Sequence, residues 1–229
     1  MPIRGRLIGP GLRLHTGAWV LSAAATVDTR LVQKSLARFT REHRRYAGAQ
    51  RRVDAIDGQL QAACAHLSAC RAALDEAADT LARQLMVDGH RRPNPFAHFG
   101  GPSLSRLARM PLADAAHAVH ALAASVRRSK AVSQRTSEAA QAADEAARAV
   151  ERAIVALDTV QVRLRDARGM RDAMATGWHS AFAALRRAAI AAADDGATGL
   201  HATLFAAVPR RVGKRNVAGA ARRATRRER

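Results

Sequence analysis

From Val32 onward an apolar or aromatic residue returns at every seventh position: Val32, Phe39, Tyr46, Val53, Leu60, Leu67, Leu74 and Leu81. Midway between them runs a mostly small companion row, Ser35, Glu42, Ala49, Ile56, Ala63, Cys70, Ala77 and Gln84. The two rows together repeat every 3.5 residues, the spacing that keeps one seam of a helix facing a partner and imposes a left-handed supercoil. The pattern predicts one helix over residues 28–87, roughly 90 Å long at about 1.5 Å per residue. A second seam runs through Val119, Leu122, Val126, Ser129, Ser133, Thr136, Ala140, Ala143, Ala147, Val150, Ile154, Leu157, Gln161 and Leu164. It continues through Met170, Met174, Trp178, Phe182 and Leu185 and predicts a second helix over 112–195. Between the two, Gly89, Pro93, Pro95, Gly100, Gly101, Pro102 and Pro111 punctuate residues 88–111, which reads as the bend.

The expected architecture is therefore all-α: a long antiparallel two-helix coiled-coil hairpin with a Pro/Gly-rich tip and a basic disordered tail. Residues 1–27 form a basic arm and the start of the first helix, and 28–87 the first coiled-coil helix. The tip is 88–111, the second helix 112–195, and 196–229 a short apolar cluster followed by an Arg-rich tail. With the bend centred near residue 99 or 100, Phe39 faces Val160, Leu74 faces Val126, Leu81 faces Val119 and Trp178 faces Leu21. The first helix then begins before Asp28, near Thr16. Val53 and Leu60 are expected to fill the space that Ala140, Ala143 and Ala147 leave, large against small. Leu200, Leu204, Phe205 and Val208 predict a short helix on the open end.

Composition supports long helices over a compact core. The apolar fraction of 48% is dominated by Ala, with only 5 Phe, 2 Trp and 1 Tyr in 229 residues, and Ala, Arg, Leu and Gln all favour helix. Arg outnumbers Lys 35 to 3, a bias that fits a GC-rich bacterial genome. Cys64 and Cys70 stand six apart on one helix, on different faces and too distant to bridge, a usage that fits a reducing compartment and a cytoplasmic protein. The amino-terminal run Ala18-Trp19-Val20-Leu21 is short and flanked by Arg13 and His15, a poor secretion signal, and no stretch reaches about 20 uninterrupted apolar residues.

The net charge of +19 points to an acidic partner only where it is concentrated. Residues 28–87 hold ten Lys or Arg against seven acids, and residues 112–195 hold twelve against ten. Residues 209–229, by contrast, hold eight Arg and one Lys against a single Glu. Arg210, Arg211, Lys214, Arg215, Arg222, Arg223, Arg226 and Arg227 are thus the candidate anion or nucleic-acid contacts. Without an aromatic residue after Phe205, base stacking is not indicated, so binding would be sequence-independent and salt-sensitive. The alternative is a solvated charged end.

At the tip, Phe96 and Phe99 lie among Arg91 and Arg92, the residue types that dominate binding hot spots. They are candidates for docking a protein partner, against the plainer reading of a cluster capping the bend. His117 and His120, with Asp114, have helical spacing but lack further ligands, and read as surface residues flanking Val119. No phosphate-binding glycine loop followed by Lys and Ser or Thr occurs, nor a Gly-x-Ser-x-Gly elbow, and a two-helix seam offers no obvious pocket. The expectation is a non-enzyme without a cofactor or bound metal, working through protein partners, with a homo-oligomer allowed.

An Ala/Arg/Gln/Leu-rich hairpin with the seams Val32 to Leu81 and Val119 to Leu164 and a basic end resembles the coiled-coil stalk proteins of flagellar and type III secretion export ATPases. The resemblance covers roughly residues 28–195 and rests on architecture and composition. It implies a stalk that docks on a ring of ATPase subunits and serves protein transport. Nucleic-acid binding through the tail and a helical coat on a membrane or granule surface are the competing roles.

Overall fold

A computed structural model describes residues 9–206, and within them the chain is all-α. Among the described residues eight short or long helical segments follow one another, of which six are α-helices: α1 Pro10–Ala24, α2 Gln33–Val87, α3 Leu104–Leu107, α4 Leu112–Arg128, α5 Gln134–Asp194 and α6 Leu200–Phe205. Single 3-10 turns at Arg30–Val32 and Ala97–Phe99 complete the set. Among the described residues no helix is long and apolar enough to cross a membrane. The described residues divide into two compact units, one from residues 9–51 with 170–206 and the other from 52–169. The long helices α2 and α5 contribute to both units and pack against each other, antiparallel, in each.

The first unit encloses one aromatic core. Phe39 and Tyr46 of α2, with Val32 of the turn before it, meet Trp178, Ala181 and Leu185 of α5, with Val20 from α1 and Leu200 and Leu204 from α6. Pro10 opens α1 at a position whose missing N–H has no helical acceptor in any case. That helix is separate from α2: at the break, the Asp28 carboxylate accepts the Arg30 N–H at 3.0 Å and pairs with its guanidinium at 2.6 Å. This ion pair, with the Arg30 amide, holds the Asp28 carboxyl below its ordinary range.

In the second unit the bundle has three helices. Leu74, Leu81 and Leu85 of α2 pack with Val119, Leu122 and Val126 of α4 and with Ala140, Ala143, Ala147 and Val150 of α5. A separate patch of Val53 and Ile56 packs on Leu164 and Ala167. The stretch expected to be one helix over 112–195 thus breaks at residues 129–133. There the Ser129 hydroxyl accepts the Ala131 N–H at 3.2 Å, and the Ser133 hydroxyl accepts the Thr136 N–H at 3.3 Å, so that Ser133 caps α5. Asp88 accepts the Ser133 N–H at 2.9 Å. That bond, with contacts to the hydroxyls nearby, keeps the Asp88 carboxyl below its usual range.

This break moves the bend. The return between α2 and α5 spans residues 88–133, not a point near 99 or 100, and Phe39 meets Trp178 and Phe182 rather than Val160. The offset is about five helical turns. Val53 and Leu60 accordingly pack on Leu164 and Val160, and the small face of Ala140, Ala143 and Ala147 accommodates α2 and α4 together. A strip of Ala wide enough to seat two helices is a physical requirement of that junction, not a match to one large partner.

Candidate functional site

The first unit carries a polar cluster inside its aromatic core. Arg13 of α1 lies on the buried face that the spacing Arg13, Thr16, Gly17, Val20 defines, and only 4% of it is exposed. Its Nε donates to His179 Nε2 at 3.1 Å and its Nη1 to the Tyr46 hydroxyl at 3.0 Å, while the guanidinium carbon sits 5.5 Å from the Tyr46 ring centre. Trp178 donates its indole N–H to His43 Nδ1 at 3.2 Å. Trp178 stacks on Phe182 with ring centres 5.1 Å apart, and Phe39 stands edge-on to it at 5.6 Å. Burial pushes the His43 imidazole below the usual histidine range, and burial followed by the Arg13 charge does the same to His179.

Gly17 is where α1 comes closest to α2. A Cβ there would stand 2.0 Å from His43 Nδ1 and 2.2 Å from Cε1, and the ring cannot swing away without giving up the Trp178 bond. Gly17→Ala is expected to destabilise the first unit by about 1–3 kcal/mol through overpacking, read as a lower urea midpoint. An unchanged midpoint would show that the helices part without cost.

A second polar centre lies in the other unit. Asp144 of α5 is 5% exposed and accepts from three cationic or titratable side chains: His120 of α4 at 2.5 Å, Arg148 at 2.9 Å and Arg127 at 3.5 Å. The carboxylate ties α4 to α5. Its partners are about half exposed, so screening weakens each pair and most of the effect comes from the buried acceptor. Asp144→Asn is expected to cost about 1–3 kcal/mol by leaving those donors poorly matched; hydrogen exchange of α4 should rise with it, and a loss spread evenly over the chain would contradict the tie.

The tip residues separate. Phe96 is fully buried in the core of the second unit, with no surface to offer a partner, and Phe99 is half-buried against the His90 and His98 rings at 5.1 Å each. Arg91 and Arg92 are exposed. Arg210, Arg211, Lys214, Arg215, Arg222, Arg223, Arg226 and Arg227 lie outside the described residues. His117 and Asp114 are exposed, and His120 turns to Asp144 instead of joining them. Among the described residues no group of three or more His, Cys, Asp or Glu is placed to hold a metal ion. Cys64 is exposed and Cys70 buried, both as free thiols.

Arg13, His43, His179 and Asp144 were not singled out as sites by the sequence reading. For two of them a signal existed: His43 stands four after Phe39 and three before Tyr46, and Asp144 four after Ala140 and three before Ala147, so both occupy seam faces. No protein-family model, curated protein or solved structure matches the chain.

Proposed function

We propose that the chain is a non-enzymatic coiled-coil adaptor in a larger protein assembly of the bacterial cytoplasm, of the kind that the stalks of flagellar and type III secretion export ATPases represent. The observation that carries this reading is the α2 seam. From Val32, just ahead of α2, to Leu81 every seventh residue is buried or half-buried along that 55-residue helix, which packs on the 61-residue α5 and, toward its end, on α4. The buried polar groups, Arg13 with His179 and Tyr46, and Asp144 with His120, join one helix to another. Outward-facing apolar side chains such as Val155 and Val162 of α5 remain for a protein partner. The test is the size of the endogenous chain in a native extract treated with nuclease. Elution well above 24.5 kDa supports the adaptor, and elution as a free monomer refutes it.

A second reading, sequence-independent nucleic-acid binding, is favoured by the density of Arg in residues 209–229. It predicts duplex binding that weakens by about 10³-fold or more between 50 and 200 mM salt, as expected for six or more phosphate contacts, and that disappears in a 1–208 truncation. Equal binding by both forms would place the contacts elsewhere, and no binding by either would end this reading.

A further inference from the structure

We propose that the polar cluster of the first unit is an acid-operated latch: uptake of protons by His43 and His179 releases α1 from α2 and α5 and uncovers the aromatic core beneath it.

The hydrogen bonds assign the neutral form to both rings. His179 accepts from Arg13 through Nε2, so its own proton is on Nδ1, and His43 accepts from Trp178 through Nδ1, so its proton is on Nε2. A proton added to either ring lands on the nitrogen that is already facing a donor. At His179, which is half-buried, it also sets an imidazolium 3.1 Å from the buried Arg13 guanidinium, two like charges in contact. At His43 it opposes the indole N–H and charges a ring that is 7% exposed.

The groups around the two rings do little to soften this. From α1 the facing group is Arg13, a cation; from α2 it is the Tyr46 hydroxyl, which itself accepts from Arg13. The nearby carboxylate on α2, Glu42, approaches Gly177 and is engaged by Arg45 at 3.3 Å and Arg41 at 4.0 Å. From α5 itself the neighbour is the Trp178 indole, which lies edge-on to the His179 ring. From α6, His201 lies tilted against Phe205.

The sign follows from burial. Both imidazoles are held below 6.5 in the docked state, whereas a released α1 would return them to the ordinary histidine value. The docked state is therefore favoured in full above about pH 6.5 and loses that advantage as pH falls through the lowered values. Gly17 and Arg13 sit one turn apart on the same face of α1, so both rings act on a single helix. Release would open the face on which Val20 covers the Phe39 and Trp178 cluster.

Hydrogen exchange of the full chain at pH 7.5 and 5.5, with exchange times scaled to the intrinsic rates, tests the latch. Peptides within 10–24 should lose protection, by up to about tenfold per pH unit for each proton taken up, while peptides within 112–150 keep theirs. The double variant His43→Gln with His179→Gln should show no such pH dependence. Constant protection of α1, an equal loss in 112–150, or an unaltered pH dependence in the double variant overturns the proposal. Should the double variant lack a docked α1 at pH 7.5, the imidazole C–H resonances of the natural chain decide: midpoints below 6.5 that coincide with α1 release support the latch, and midpoints at or above 6.5 with α1 still protected refute it.

Discussion

Trp178→Ala is expected to lower the stability of the first unit by about 3–5 kcal/mol, the range for removing a large aromatic side chain from a closed core. The indole has no solvent exposure, packs against the rings of Phe39, Phe182 and His179 and donates to a fourth ring, His43. Its loss leaves a cavity in a core where the neighbouring α5 residues Ala175, Ala181 and Leu185 are themselves buried, so little is free to fill it. His43 loses its donor at the same time. Trp178→Phe separates the two contributions: most of the ring volume stays, the hydrogen bond goes, and the expected cost falls to about 1–3 kcal/mol. Chemical denaturation followed by near-ultraviolet circular dichroism measures both. A Trp178→Ala loss below about 1.5 kcal/mol would mean that this core is loosely packed, contrary to its full burial.

The helical class and the first seam were legible because a heptad repeat is a direct consequence of helix geometry. All eight positions from Val32 to Leu81 are buried or half-buried. The second seam was legible only in part. Val119 to Val126 and Ala140 to Val150 are buried, but Met170 and Met174 are exposed, and Ala167 and Ala175 take the inward positions. Their smaller side chains gave a weaker apolar signal than methionine, although size rather than hydrophobicity decides what fits between closely approaching helices.

The break at residues 129–133 was hidden for a related reason. Ser129 and Ser133 fall on the heptad phase and were read as small seam residues, yet serine is also the residue whose hydroxyl competes with the backbone and starts helices. Hydrophobic phase carries across such a break unaltered, so periodicity alone cannot tell a continuous helix from two helices sharing a register. The position of the bend, and with it the pairing of Phe39, depended on that distinction. The Arg13 cluster was out of reach for a different reason: Arg13, Tyr46 and His179 are brought together by three helices from distant parts of the chain, and nothing local marks a buried arginine apart from its place on the Thr16, Gly17, Val20 face.

Phe96→Ala is expected to destabilise the second unit by about 3–5 kcal/mol, a structural effect where the sequence suggests a docking residue. Two backbone features fix the ring inward. The Asn94 side-chain carbonyl accepts the Phe96 N–H at 3.2 Å, and the Phe96 carbonyl accepts from both Phe99 and Gly101, at 2.9 and 3.0 Å. Gly101 then passes so close that a Cβ there would stand 2.9 Å from both Phe96 Cβ and a Leu122 methyl carbon. The loop thereby packs on α4, whose Leu122 belongs to the same core. Arg91→Ala with Arg92→Ala, at exposed positions, should leave stability within about 0.5 kcal/mol, so these two variants separate folding from any binding at the tip. A full-length chain that loses a partner on Phe96→Ala but not on the double arginine change, and melts early, would be reporting a lost core; a Phe96→Ala protein with an unaltered urea midpoint would show instead that the ring is free to leave the core.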